Sequence, residues 1–211
     1  PGWMTLTEDL RSNVSTSLTK RAFDICASLG LLGATWPLML ATTIAIWLED
    51  GFKSPIFFSQ ERIGLGGKAF KVRKFRSMQV DAEGDGKARW ATVNDSRVTK
   101  VGAFIRRTRI DELPQIFNVL SGEMSFIGPR PERPEFVQQL AEQIPYYNSR
   151  HAVKPGITGW AQLCYPYGAS EEDARQKLQF DLYYVKNQSL FLDLMVALST
   201  VEVVIFGKGT R

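Results

Sequence analysis

The stretch RRTRIDELPQ, residues 106–115, places two adjacent carboxylates, Asp111 and Glu112, directly behind three guanidinium groups, Arg106, Arg107 and Arg109. That combination suits phosphate chemistry. Arginine recognises phosphate oxygens in bidentate fashion. A hard cation such as Mg2+ commonly takes one or two carboxylates together with substrate phosphates. An ionised carboxylate can also attack phosphorus and form an aspartyl-phosphate type of intermediate. The arginine-rich setting is expected to lower the Asp111 pKa and keep the group ionised at neutral pH. A structural alternative stands beside this reading. Asp is a favoured helix N-cap, and Pro114 would then occupy the first helical turn, where a missing N–H is harmless.

The rest of the composition narrows the chemistry. The chain has 211 residues, room for one compact domain with an appended segment. It contains a single histidine, His151, and two cysteines, Cys26 and Cys164, outside any metal-spacing motif. A His-rich metal site and a two-histidine mechanism are excluded, and a reduced, cytosol-facing protein is the simpler reading. Twenty-six basic residues against 22 acidic ones leave a net charge of +4. This mild excess fits nucleotides or phospholipid headgroups. It is small for a nucleic-acid binder, which would also have no use for a long apolar segment.

That segment, ICASLGLLGATWPLMLATTIAIWL at residues 25–48, has 24 residues without a charge. As a helix it reaches about 36 Å, against a hydrocarbon core of about 30 Å. Pro37 removes the N–H that would bind the Gly33 carbonyl and is expected to kink the helix, with Thr35, Thr42 and Thr43 available to satisfy freed backbone groups. Lys20 and Arg21 precede the segment, and Lys53, Arg62 and Lys68 follow it. Basic flanks on both sides favour a re-entrant hairpin with both ends in the cytoplasm over a straight span. Residues 1–19 read as a polar lead-in. PIFFSQERIGLGGKAFKVRKFRSM, residues 55–78, reads as a β-hairpin around GLGG, with Lys74 and Arg76 on one strand face. Residues 79–96 read as a polar loop. Val98, Val101, Phe104 and Ile105 then recur at helical spacing among basic residues. This is an amphipathic helix suited either to an anionic membrane surface or to packing on its own domain. Short helices are expected around Leu113–Leu120, over 134–144, over 171–186, and over 190–206, the last packed or interfacial because Asp193 and Glu202 interrupt it. Two prolines around Arg130 hold that side chain on a stiff loop.

The order KRAFDI, an apolar run with a central proline, SPIFFSQERIGLGGKAFKVRKFRSM, DELPQIFNVLSGEMSFIGPRPERPE, KPGITGWAQ, DLYYVKN and FLDL resembles the bacterial sugar transferase family. These are the monotopic phosphoglycosyl transferases that act on undecaprenyl phosphate. The resemblance covers about residues 18–208. It implies an α+β, mostly helical fold with a re-entrant membrane helix hairpin at 20–50, interfacial helices and a small β-hairpin in a cytosolic catalytic domain at 51–211. It implies transfer of a sugar-1-phosphate from a UDP-sugar to undecaprenyl phosphate at the bacterial inner membrane, with UMP released. By motif match, Asp111 is the nucleophile, Glu112 positions or deprotonates the lipid phosphate, and the pair engages Mg2+. Arg106, Lys74, Arg76 and Arg130 match family positions facing the active site, and Asp181 and Asp193 match family acids. Pro37 matches the helix break, although the serine that often precedes it is Trp36 here. The polar lead-in, the start at Pro1 and the acidic stretch YPYGASEEDARQKLQF suggest the catalytic part of a larger member. The sugar and a homodimeric state stay open. The competing reading is a non-catalytic, membrane-anchored phosphate- or lipid-binding scaffold.

Overall fold

A computed structural model describes residues 14–80, 82, 95–165 and 170–206. The loop expected at 79–96 lies mostly outside the described residues. Helix α1 runs from Val14 to Asp50, so six residues of the expected lead-in are helical. Strands β1 (Phe57–Ile63) and β2 (Ala69–Phe75) then form the expected antiparallel hairpin, with Phe57 opposite Phe75 and Ile63 opposite Ala69. Gly66 and Gly67 both take positive φ, 65° and 77°, in the connecting turn. Helices α2 (Lys100–Arg107) and α3 (Gln115–Ser121) flank a single 3-10 turn at Ile110–Glu112. Strand β3 (Ser125–Ile127), α4 (Pro134–Gln143), a 3-10 stretch at Tyr147–Ala152, strand β4 (Gly156–Thr158), α5 (Trp160–Cys164), α6 (Glu171–Lys186) and α7 (Leu190–Phe206) complete the chain.

The pairing of β3 with β4 is parallel, with Ser125 beside Gly156 and Ile127 beside Thr158. A side chain at Gly156 would collide with the Gly128 backbone, so glycine is what lets the two segments close. Four apolar clusters hold the domain together. One joins Ile46 of α1 to Phe75, Ile105 and Ile110. A second joins Val72, Val119 and Met124, a third Val137, Ile144, Tyr147 and Leu178, and a fourth Ile127, Tyr184 and Val196.

Both ends of α1 are fastened to this body. Near its start, Lys20 Nζ donates to Asp193 Oδ2 at 2.6 Å and to the Ile127 carbonyl at 3.1 Å. Arg21 donates to the Val119 and Leu120 carbonyls at the end of α3, at 2.6 and 2.7 Å. The buried Asp24 accepts from Ser125 Oγ and Phe126 N. Near its end, Ile46 enters the core, and Glu49 accepts from the Lys100 and Val101 amides at the start of α2, at 2.8 and 3.0 Å. The stretch between is covered only in part: Ser28 and Thr42 are buried and Met39 packs against the first cluster, while its other side is open. Leu29, Trp36, Leu38 and Leu40 are all exposed, and nothing lies within 4 Å of a Cβ built at Gly30 or Gly33. Residues 18–50 are long and apolar enough to cross a membrane, which is consistent with membrane association.

Two local expectations change. The threonines of α1 do not reach the carbonyl freed by Pro37. Thr35, Thr42 and Thr43 each bond back four residues, to Leu31, Leu38 and Met39, a pattern that bends helices locally. In α2, Ile105 is buried in the core and Val101 packs beside it, while Val98 precedes the helix and bridges to Met78. The helix therefore packs on its own domain, with Phe104 left outward.

Candidate active site

Helix α2 ends at Arg107, and Arg109 follows in the left-handed region (φ 59°, ψ 14°). A non-glycine residue there is uncommon and costs about 1–3 kcal/mol of backbone strain. It reverses the chain, so that the next turn sets Ile110 into the core and brings Glu112 to β2. Asp111 lies inside this 3-10 turn, not at the head of α3. The cap position of α3 is Pro114, and no side chain caps it. The N-cap expectation for Asp111 therefore fails. The residue is 8% exposed, its carboxylate oxygens keep some contact with solvent, and among the described residues it accepts no hydrogen bond and joins no ion pair.

Glu112 is the opposite case. Its Oε1 accepts from Lys74 Nζ at 2.9 Å and from Arg130 Nη2 at 2.7 Å, with Arg109 at 4.0 Å. Three separate elements thus meet on one oxygen: the end of β2, the Asp111–Glu112 turn, and the loop after β3. Burial alone would raise the Glu112 pKa, but the charges of Arg130 and Lys74 outweigh it and hold the group well below the usual carboxylate range. Burial pushes Lys74 down, against the pull of Glu112. The charge of Glu112 pushes Arg130 up.

Asp111 shifts the other way. Burial pushes its pKa above the usual 3.8, and Lys74, Arg106 and Arg109 only partly offset this while Glu112 adds to it. The expectation that arginines would lower it is therefore corrected: desolvation outweighs them because none of them reaches the carboxylate directly. The result is a carboxylate held among cations and committed to none.

The other predicted residues divide. Arg106 is half-buried, joins no ion pair among the described residues, and lies within electrostatic range of Asp111. Arg76 lies one residue past β2, so strand alternation does not carry it to the side of Lys74. Its guanidinium donates to the Pro55 carbonyl at 2.6 Å and to Asp50 at 2.8 Å, tying the end of α1 to the hairpin. Asp193 accepts from Lys20 and from Tyr184, whose hydroxyl lies 2.6 Å away. It anchors the start of α1. Asp181 is buried on Arg150, at 2.6 and 3.0 Å. Sequence reasoning missed Arg150 altogether. It is 31 positions from its partner, and a lone arginine in NSRHA carries no periodic signal. His151 beside it is pushed down to about 4 by burial and by Arg150, so it is neutral near pH 7.

For Mg2+, the donor set fits. Both Asp111 oxygens and Glu112 Oε2 have no partner among the described residues, and two neighbouring carboxylates suit a hard cation that completes its shell with phosphate oxygens. No group of three or more metal-ligating side chains occurs among the described residues, so an all-protein cage is not what these residues build.

An apolar helix pinned at both ends to an α+β domain, with an acidic pair set among cations, is the framework that these residues build. The chain belongs to the bacterial sugar transferase family, whose model matches residues 15–207. It is 48% identical over 192 residues to the UDP-N-acetylgalactosamine-undecaprenyl-phosphate N-acetylgalactosaminephosphotransferase of Aeromonas hydrophila, covering 91% of this chain and 45% of that protein. It is 42% identical over 199 residues to the UDP-glucose:undecaprenyl-phosphate glucose-1-phosphate transferase of Xanthomonas campestris pv. campestris, covering 93% of this chain and 40% of that one. It is also 41% identical over 187 residues to the exopolysaccharide production protein PSS of Rhizobium leguminosarum bv. phaseoli, covering 86% and 92%. The chain spans less than half the length of the first two relatives.

Proposed function

We propose that this chain is the catalytic part of a phosphoglycosyl transferase. It moves a sugar-1-phosphate from a UDP-sugar to undecaprenyl phosphate at the cytoplasmic face of the bacterial inner membrane and releases UMP, a first membrane step of exopolysaccharide or glycoconjugate assembly. The observation that carries this reading is the buried Asp111 carboxylate, left without a hydrogen bond or ion pair beside a Glu112 that two cations hold fast. The names of the relatives above point to the same substrates for those proteins.

An Asp111 oxygen attacks the sugar-bearing β-phosphorus. The bond from that phosphorus to the bridging oxygen breaks, UMP leaves, and an aspartyl-phosphosugar forms. A lipid phosphate oxygen then attacks the same phosphorus, freeing Asp111 and giving the polyprenyl diphosphate-linked sugar. Desolvation favours this use of Asp111, because a carboxylate without partners is a better nucleophile than one in a salt bridge. Glu112 acts by position. A group held well below the ordinary carboxylate range makes a poor base for a phosphate at neutral pH, whereas its charge fixes Lys74 and Arg130 beside the reacting phosphorus. Arg106 faces the diphosphate. Glu112 Oε2 and the Asp111 oxygen that does not attack would hold Mg2+, which would supply charge to offset the diphosphate and the leaving UMP.

The re-entrant hairpin has its own support. A straight α1 would separate Lys20 from Asp50 by about 45 Å. A compact body of roughly 160 residues has a radius of gyration of about 15 Å, hence a diameter of about 40 Å. A rod fastened at both points would lie along that body, yet the stretch around Trp36 and Pro37 is uncovered. An arch that dips into lipid and returns fits both facts.

The test supplies undecaprenyl phosphate and a panel of UDP-sugars and reads UMP. Asp111→Asn is expected to lower turnover by about 1,000-fold or more. UDP-sugar labelled at the β-phosphate, given without lipid, is expected to label the Asp111 peptide in the wild type only. Full activity in the Asn variant sinks the proposed nucleophile. Labelling of the Lys20 and Lys68 flanks from opposite sides of intact spheroplasts sinks the hairpin.

A further inference from the structure

Arg130 sits between Pro129 and Pro131, neither of which has an N–H to donate. Its loop lacks regular structure, yet every carbonyl from Pro129 to Glu132 is held by a different donor. Gly156 N donates to Pro129 at 3.0 Å, Arg150 Nη2 to Arg130 at 2.9 Å, Arg62 Nη1 to Pro131 at 3.2 Å, and Ile63 N to Glu132 at 2.9 Å. Of these, the bond on Arg130 itself comes from a side chain that is fully engaged elsewhere. Arg150 donates Nε and Nη2 to Asp181 Oδ2 at 3.0 and 2.6 Å and Nη1 to Tyr147 Oη at 3.0 Å, and it lies over the Tyr147 ring at 5.2 Å. Both members of the Arg150–Asp181 pair are about 5% exposed, so the pair is shielded from water. A guanidinium is planar and presents its donors in a rigid fork. Here three of its five N–H groups fix its orientation, and the second N–H of Nη2 points at the backbone of the residue that grips Glu112.

We infer that Arg150 is a positioning residue for the reaction: oriented by Asp181 and Tyr147, it holds the Arg130 carbonyl and thereby sets the Arg130 side chain against Glu112. This rests on the phosphoglycosyl transferase reading. It also gives Asp181, matched by resemblance to a family acid, a definite task. Asp181, in α6, is spent on Arg150, 31 positions away, and serves the site at two removes.

A double-mutant cycle in the full chain tests this, with Arg130→Met, Arg150→Lys and the double variant. Lysine keeps the charge but cannot engage Asp181, Tyr147 and the Arg130 carbonyl at once. Arg150→Lys is expected to lower kcat by about 10- to 100-fold, with KM for the UDP-sugar within about twofold, since small misplacements of a catalytic group act mainly on turnover. In the Arg130→Met background the same substitution is expected to cost nothing further, because the residue acts through Arg130. Additive losses overturn the inference, since a purely structural role would lower activity in either background. Hydrogen exchange gives a readout that needs no turnover. Arg150→Lys is expected to speed exchange in a peptide spanning 126–136 several-fold while leaving 100–121 unchanged. Unchanged exchange at 126–136 overturns the clamp. A wild type that exchanges as expected but releases no UMP from any UDP-sugar overturns the reaction and leaves the clamp standing.

Discussion

Replacing Asp111 by asparagine should abolish turnover and at the same time make the protein more stable. Asp111 is 8% exposed and, among the described residues, has no hydrogen bond or ion pair to offset its desolvation. Its folded pKa is raised above 3.8, with burial the largest cause. A carboxyl whose folded pKa is raised contributes stability that is full below the unfolded value and lost as pH rises through the folded one. At neutral pH the wild type therefore carries the whole penalty, and a neutral side chain of the same shape removes most of it. The gain should be about 1 kcal/mol, within the range typical of single stabilising changes. For a chain of this length that is about 2–4 °C in Tm. Thermal melts in detergent, followed by tryptophan fluorescence from pH 4 to pH 8, read this directly. The Asn variant should melt higher at pH 7.5, and the gap should close on acidification as the wild-type carboxyl takes up its proton. The helix-cap reading has the opposite sign, a loss of about 1 kcal/mol. A variant that melts below wild type at pH 7.5, or a gap that widens in acid, refutes the account of a desolvated, uncommitted nucleophile.

Four further outcomes follow from groups described above. Glu112→Gln removes the charge shared by Lys74 and Arg130, at 2.9 and 2.7 Å, and should cost about 2–4 kcal/mol of stability, less than for a fully buried pair because both cations keep some solvent. The same variant frees Lys74 to lose its proton more readily, so the alkaline limb of its rate profile should move to lower pH in a UMP-release titration. Asp24→Ala strips the acceptor from Ser125 Oγ and Phe126 N and should lower stability by about 1–3 kcal/mol, measured by the same melts. His151, pushed down to about 4, should make the fold lose stability as pH falls from about 6.5 toward 4, by up to about 3 kcal/mol. His151→Asn should flatten that limb.

Sequence reasoning carried furthest where one element speaks for itself. Helix α6 begins after Ser170, whose hydroxyl and the Asp173 carboxylate form a capping box, and it ends at Lys186, as the charge pattern indicates. Helix α7 spans Leu190–Phe206, the bounds of the apolar stretch that Asp193 and Glu202 interrupt. The β3–β4 pair was not legible, because two strands of three residues have no period to read and their parallel pairing depends on contacts about 30 positions apart. Within the site, the charge run around Asp111 raised the expectation of phosphate chemistry. It could not say that Glu112 would collect the cations and leave Asp111 bare, since that depends on Lys74 and Arg130 arriving from two other elements. Alternation grouped Arg76 with Lys74, and it failed because β2 stops at Phe75 and releases the next residue to Asp50. Burial also reversed the expected pKa direction at Asp111, a quantity that no linear pattern encodes.

The last turn of α1 has a practical consequence for anyone hoping to make a water-soluble fragment. Glu49 closes off the first amides of α2, Asp50 holds Arg76, and Ile46 fills the core beside Ile110, the immediate neighbour of Asp111. Cutting the chain at residue 51 would therefore leave an unplugged helix end and a hole directly behind Asp111. The apolar helix is thus part of what positions the Asp111–Glu112 turn, so a fragment meant to keep that turn in place must keep the helix as well.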